Sequence, residues 1–509
     1  MRVRTIFAAA LLAACSSDPA PADQAGTGLT DTSRPEAGTT DASADVVADP
    51  DGSDVADPED DADPDGSDVA DPEDDAENPE PDSELVDAEV ESDAAVDPDT
   101  NDTALDVAPD RVDAEPDASD DIVDAEDTTD LDAADLEPDA AGLTLSEILT
   151  LLRAGGEDAA YALARSDGWP IDLEDGYLIV SFDSSSTGVA GDFSEWAILG
   201  LEVDAGFSYL VVSGVAGDGY KLTNGAQYWS DPLARSYVFD EFGELSKIEP
   251  SGGHFDRWQR VTDGVVAPRQ VNVRVPASPA THVLYAHDGQ NLFDGSRASF
   301  GVSWDLDAST PDGVLVIGID HGPDRIYEYT WIEDDLRGTT AGGGGDAYAD
   351  FVQSYLRPMI DFAYGEPPNV GVIGSSLGGL ISLYIAHRFP GEFDMAISLS
   401  GTLGWGSFGS HQQTVLELYQ EAGLRSTRLY VDSGGGVAGE CVDSDTDGIL
   451  DDNASGADNY CTNRQFADAM ADLGYEWTVN LWHWWEPDAP HSEAAWAARV
   501  FRPLGYFVE

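Results

Sequence analysis

The run Val370-Gly-Val-Ile-Gly-Ser-Ser-Leu-Gly-Gly379 constrains the fold of this chain more than any other. A β-branched stretch breaks at Gly374, sets Ser376 at the apex of a Gly-x-Ser-x-Gly turn, and continues into the helix-like Leu380-Ile-Ser-Leu-Tyr-Ile-Ala-His387. A strand that turns sharply into a helix presents the apical serine hydroxyl as a candidate nucleophile. Gly374 and Gly378 are expected to be glycine because a Cβ there would meet neighbouring backbone in the strained bend.

The surrounding sequence supplies a sheet for this turn. Apolar strand candidates lie at 270–275, 281–287, 313–319, 370–373, 395–399, 428–431 and 477–482, with helical patterns at 347–360, 380–388, 412–422 and 464–473. Near-continuous apolar strands alternating with helices predict an α/β domain with a mostly parallel sheet covered on both faces, over residues 265–509. About 245 residues suffice for one such core. The run Gly342-Gly-Gly-Gly345 lacks the lysine and Ser/Thr of a phosphate-binding loop and reads as a flexible cleft edge.

Composition separates this part from what precedes it. The 509 residues carry 23 basic and 100 acidic side chains, a formal net charge of -77. The acid is concentrated between Asp18 and Asp139, where aromatics are absent and Arg34 and Arg111 are the only basic residues. The segment beginning at Asp51 repeats almost unchanged from Asp65. Such a segment repels itself and has too little apolar surface to offset an ordering cost of about 1–2 kcal/mol per residue. Residues 16–140 are therefore expected to be a disordered acidic linker, and nucleic acid is excluded as a partner by charge repulsion.

The chain opens with Arg2 and Arg4, then the apolar Ile6–Leu12, then Ala13-Ala14-Cys15-Ser16. A charged start and a short apolar run read as an export signal over 1–15. Leu12-Ala-Ala-Cys15 resembles the bacterial lipoprotein processing box, which implies lipidation at Cys15, membrane attachment through that lipid, and a place in the bacterial cell envelope. By the same resemblance, Ser16 favours the outer membrane or cell surface. The two remaining cysteines, Cys441 and Cys461, are expected to form one disulfide outside the cytosol.

Between linker and α/β domain, 141–169 reads as two short helices split at Gly155-Gly156, and 170–255 as a small β-sandwich. The pieces Val189-Ala-Gly-Asp-Phe-Ser-Glu-Trp196, Trp229-Ser-Asp-Pro232 and Asp240-Glu-Phe-Gly243 resemble the carbohydrate-binding-like early-set modules found ahead of enterochelin esterases. That resemblance implies a packing platform beside a cleft, with Trp196 and Trp229 as sugar-stacking candidates.

Ser-His-acid chemistry on such a sheet needs the chain order serine, acid, histidine. His491 follows the last strand candidate and precedes a terminal helix, which places it near the carboxyl ends of the strands as general base. His483 sits inside Leu481-Trp-His-Trp-Trp485 and reads as packed or cleft-lining; His387 lies on the helix after the turn. Three acids qualify as the third member, in the order Asp458, Glu440, Asp432. The backbone N–H of Leu377 and that of Gln290 or Gly289 are the candidate oxyanion donors. His287 and Asp288, ahead of the serine, are expected to order that loop.

Between the two cysteines, Asp443, Asp445, Asp447, Asp451 and Asp452 space carboxylates around Gly448 in the manner of a hard-cation loop. It lacks the full EF-hand spacing and resembles the short calcium loops of thrombospondin-type repeats, so a structural Ca2+ is expected there.

Taken together, Tyr285-Ala-His-Asp-Gly-Gln-Asn-Leu-Phe-Asp294, Gly318-Ile-Asp320 with Arg325 and Glu328-Tyr329, the serine turn, and His491-Ser-Glu with Trp496 resemble an esterase family of α/β-hydrolases. The family includes esterase D, enterochelin esterases and feruloyl esterases, and the resemblance covers 265–509. It implies hydrolysis of a small-molecule or polysaccharide-linked carboxylic ester through an acyl-enzyme, with no cofactor for catalysis. The expectation is an exported, lipid-anchored serine esterase. An acyltransferase with the same triad, or a catalytically inactive surface lipoprotein binding carbohydrate or calcium, are the alternatives.

Overall fold

Alternate residues of each central strand enter opposite cores. Val283, Tyr285, Val372 and Val431 pack on one face, while Leu284, Ala286, Ile373, Ile397 and Tyr430 pack on the other. This is what a sheet covered on both sides requires, since successive side chains alternate between its faces. The computed structural model describes residues 142–164, 168–336, 338–435, 441–451 and 457–509. The predicted signal over 1–15 with Cys15, the linker over 16–140, Glu440 and Asp452 lie outside the described residues.

The strands Val314–Ile319, His282–His287, Asn369–Ser375, Met395–Leu399, Arg428–Gly435 and Leu481–Trp485 lie side by side and parallel in that order. Arg269–Val275 joins antiparallel beyond Val314–Ile319. Within 265–509 the strands are mostly parallel, as the sequence predicts, but they are part of a larger mixed sheet of 15 strands. The helix Leu377–Arg388 crosses its centre and is buried from Leu377 to Ala386, so it carries no amphipathic stripe.

Two elements differ from expectation. The last strand is Leu481–Trp485, not 477–482: Trp477 and Val479 are exposed and lie in the turn before it. The apolar run reads the same in either placement, and pairing with Arg428–Gly435 decides it. The helix predicted at 347–360 is broken into Gly345–Asp350, a π-helical Phe351–Leu356 and Arg357–Tyr364. Pro358 enters at the start of the last piece, where its missing N–H interrupts the α-helical ladder.

The 170–255 region is a sandwich whose two sheets have different fates. Ile171–Leu173, Gly176–Ser181, Phe207–Val212 and Glu202–Asp204 form a separate four-stranded sheet. The facing strands, Gly188–Gly191, Gly219–Thr223, Gly243–Lys247 and Ser236–Asp240, continue through His254–Val261 into Arg269–Val275 and hence into the α/β sheet. Ile179 and Val212 from one sheet meet Val189, Tyr220 and Leu222 from the other in a shared core. The helix Leu145–Leu163, kinked at Gly156, covers the outer face of the four-stranded sheet through Ile148, Leu149, Leu152, Ala160 and Leu163. No described helix is long and apolar enough to cross a membrane.

Trp196 is 42% exposed, with its indole N–H donated to Asp192 at 3.0 Å, whereas Trp229 packs against the inter-sheet core. The ring of Phe255 lies 5.2 Å from that of Phe293, so the sandwich side touches the loop after His287.

Candidate active site

At the end of the Asn369–Ser375 strand, Ser376 adopts φ 57°, ψ -124°, a region a non-glycine residue occupies only when its surroundings hold it there. Its N–H donates to the Leu399 carbonyl at 2.9 Å, and its own carbonyl accepts from Thr402 N–H at 3.1 Å. The two glycines are not equally constrained. A Cβ on Gly374 would sit 2.4 Å from the Gly378 carbonyl carbon, which is prohibitive. One on Gly378 would approach the Asp288 carboxylate at 3.2 Å, a tight contact with a side chain.

Beyond the neighbouring strand, the 399–402 segment connects Ser376 to the acid. Ser400 donates its hydroxyl to Asp458 Oδ2, and that same oxygen accepts Gly434 N–H at 2.6 Å and Arg499 at 3.3 Å. Asp458 Oδ1 faces His491 Nδ1 in direct contact. Asp458 is buried because it pairs as a short strand with Gly434 at the end of Arg428–Gly435; the His491 side chain stays 38% exposed. The ring of Trp496 stands edge-on to that of His491 at 4.9 Å and donates its N–H to Ser400 Oγ at 3.0 Å. With Nδ1 turned to the acid, Nε2 is the ring nitrogen left for a substrate or nucleophile proton.

Asp432 is also buried but is committed elsewhere. Arg499 donates to both its oxygens at 3.0 and 3.1 Å, and Ser400 N–H and Tyr430 O–H donate to it as well. Burial pushes its carboxyl above the ordinary range, with Arg499 working against that. Thus the structure brings Asp458 to His491 and places Asp432 behind it as the anchor of Arg499. Ser376 Oγ lies 3.4 Å from Thr402 Oγ1, and among the described residues no hydrogen bond joins it to His491. Such bonds are often long in the absence of substrate.

Leu377 opens the central helix, whose first N–H groups have no intrahelical acceptor. On the opposite side, Asp288 at φ 58° leads into a tight turn over Gly289–Asn291. Its internal bonds start with Asn291 N–H to the Asp288 carbonyl, so the Gly289 and Gln290 N–H groups are not used by the turn itself. Asp288 receives Arg325 at 2.7 and 2.8 Å; burial opposes its charge, but Arg325 outweighs it and holds the carboxyl below the usual range. His287 is fully buried against Tyr348 O–H at 2.9 Å, and burial pushes it down to about 3. Both order the loop rather than face the serine.

His483 pairs in register with Val431 inside the sheet, and burial lowers it to about 4. The glycine run at 342–345 is not a free edge: Gly343 and Gly345 donate to the Thr330 carbonyl and Gly344 to that of Tyr327.

Cys441 and Cys461 form the expected disulfide, with Cα atoms 5.5 Å apart. Within the loop it closes, oxygens of Asp443, Asp445 and Asp447 lie within 4.8 Å of one another. Asp451 instead accepts Ser444 N–H at 2.8 Å, and Asp447 is held by Ser407 O–H and by His411 at 3.1 Å. Ser400, Arg499 and Thr402 were not singled out by sequence reasoning. Their only signal was polar side chains after a strand end and between the two terminal helices, a pattern too common to select them.

Residues 265–507 match the model of the family described as "Putative esterase". That match covers slightly less than half of the chain and shows what this segment is similar to. Over 145 residues the chain is 32% identical to the uncharacterized protein YbbA of Bacillus subtilis, covering 26% of this chain and 57% of that protein. Over 135 residues it is 25% identical to the siderophore triacetylfusarinine C esterase of Aspergillus fumigatus, covering 25% of this chain and 45% of that one. The chain thus spans about half the length of the curated relatives it matches. Among solved structures, the enterobactin esterase of Shigella flexneri is similar over 66% of this chain and 94% of that one, at 15% identity and a TM-score of 0.35.

Proposed function

We propose that the chain is an exported, lipid-anchored serine esterase that hydrolyses a carboxylic ester through an acyl-enzyme. The observation that carries this reading is the His491–Asp458 contact at the carboxyl ends of the strands, on the same side as the Ser376 turn. In this mechanism Ser376 Oγ attacks the ester carbonyl while His491 Nε2 takes its proton. Asp458 fixes the tautomer and offsets the imidazolium charge. The tetrahedral oxyanion is received by the N–H of Leu377 and by Gly289 or Gln290, each such donor being worth about 100–1000-fold in rate. His491 then protonates the leaving alcohol, and water repeats the sequence to release the acid.

Attachment through Cys15 and a tether over 16–140 would hold this domain off a membrane surface. A siderophore ester heads the substrate candidates, because one matched relative is named a siderophore esterase. Structural Ca2+ on Asp443, Asp445 and Asp447 is part of the same reading. Added Ca2+ should raise the unfolding temperature of the native protein and not of a D445N variant, and an equal response in both would remove the ion from the account.

The deciding experiment is labelling by a fluorophosphonate probe together with turnover of an acyl ester panel. Labelling and turnover are expected in the native protein and lost in S376A. Equal labelling of a folded S376A protein would sink the assignment.

A further inference from the structure

Glu493 has no role in the chemistry above, yet it is buried two residues beyond His491, at the start of the Glu493–Ala497 helix. Its Oε1 accepts from Asn291 Nδ2 at 3.0 Å, and its Oε2 from the indole N–H of Trp304. Both partners lie about 200 residues away in sequence, on the segment that carries Gly289 and Gln290. The Asn291 amide is oriented independently of Glu493, because its Oδ1 accepts Ser299 N–H at 2.9 Å and leaves Nδ2 for the carboxylate. The Asn291 carbonyl in turn accepts Trp304 N–H at 2.8 Å, which locks the two partners to each other.

An indole N–H can only donate, so both Glu493 oxygens face donors, the arrangement that suits a carboxylate. Burial pushes the carboxyl up from its ordinary value and the Trp304 bond works against that. A buried charged group is costly to keep dry, and an apolar side chain could fill the site without that cost. What the carboxylate adds is a directional tie between two segments that share no backbone hydrogen-bond ladder.

We propose that Glu493 is a positioning residue that ties the His491 loop to the Gly289–Asn291 turn, holding the general base and the second oxyanion donor in one register. The inference rests on the serine-esterase reading, which gives those two segments their roles. Misplacement by about 1 Å at such a pair costs on the order of 100-fold in rate.

E493Q replaces one acceptor by a donor, so it disrupts one arm of the tie while preserving volume. Its kcat on an acyl ester is expected to fall about 10- to 100-fold with KM within about twofold, and the rate of Ser376 labelling to fall in parallel. N291A should act in the same direction, and the E493Q/N291A double variant should be no slower than the slower single variant. An unchanged kcat in E493Q, an effect on KM alone, or fully additive losses would overturn the tie. Hydrogen exchange reads it without turnover: E493Q should speed exchange in both 289–304 and 489–497 and leave the 369–388 elbow unchanged. Faster exchange in 489–497 alone overturns the inference. If the native protein neither labels nor turns over ester, the esterase reading fails while the exchange result still decides the tie.

Discussion

Asp458 and Asp432 are both buried and both touch Arg499, yet they are separable by what else they meet. Asp458 contacts the His491 ring; Asp432 shares Arg499 and the Ser400 N–H. D458N should therefore lower kcat by about 1000- to 10,000-fold by favouring the wrong imidazole tautomer, with little change in unfolding. D432N leaves a buried guanidinium half-paired and should destabilise by about 3–5 kcal/mol in urea unfolding. Turnover lost in D432N at unchanged stability would exchange the two roles. His287 gives a prediction in pH. Its folded value of about 3 lies below the ordinary 6.5, so between these pH values the unfolded chain binds a proton that the folded one does not. Its contribution is complete above pH 6.5 and is lost as pH falls toward 3, about 1.4 kcal/mol per pH unit. Asp231, raised to about 6 by burial, acts with the opposite sign: its contribution is present below 3.8 and lost as pH rises through 6. The two offset each other, so the informative quantity is a difference. Urea unfolding of the native protein and H287N at pH 7 and pH 4.5 should show the gap between them shift by about 2–3 kcal/mol in favour of the variant at low pH. A constant gap would mean that His287 titrates normally.

At the scale of elements, the disulfide-bounded loop is the part the sequence left most open. The sequence offers three acids for one role, Asp432 and Glu440 ahead of the loop and Asp458 inside it, and strand pairing of Asp458 with Gly434 carries that one to His491. The loop is held at one end by the Cys441–Cys461 bond and in its middle by His411 and Ser407 on Asp447. Opening a closed loop with a sequence separation of 20 costs about 3 kcal/mol on the chain-entropy estimate. C441S/C461S should lose that much stability and also part of its turnover, because Asp458 then sits on a loosened segment. Stability lost with turnover fully kept would show that strand pairing alone holds the acid.

At the scale of the described molecule, one of the two sandwich sheets runs on into the α/β sheet. The strands Gly188–Gly191, Gly219–Thr223, Gly243–Lys247 and Ser236–Asp240 run on into the α/β strands through His254–Val261 and Arg269–Val275, and Trp258 and Asp256 both bond Tyr364 at 2.8 and 2.7 Å. A chain starting at residue 265 would bare the Arg269–Val275 edge, whose unpaired backbone is a template for association. Size-exclusion chromatography should show such a chain aggregating, while one starting at 142 stays monodisperse with native turnover. A well-behaved, active chain from 265 would make the sheet continuity dispensable.

Local chemistry was legible in the sequence because it depends on neighbours along the chain. The serine turn, the α/β alternation and the acidic composition of 16–140 are properties of short windows, fixed by sterics, periodicity and charge. The 477–485 run was misplaced because apolar aromatics do not reveal register without a partner strand. Which acid meets His491, which one anchors Arg499, that the sandwich shares a sheet with the α/β domain, and that Glu493 reaches Asn291 and Trp304 all depend on contacts between residues distant in sequence. Those contacts are set by packing and pairing across the sheet, which only the tertiary structure decides.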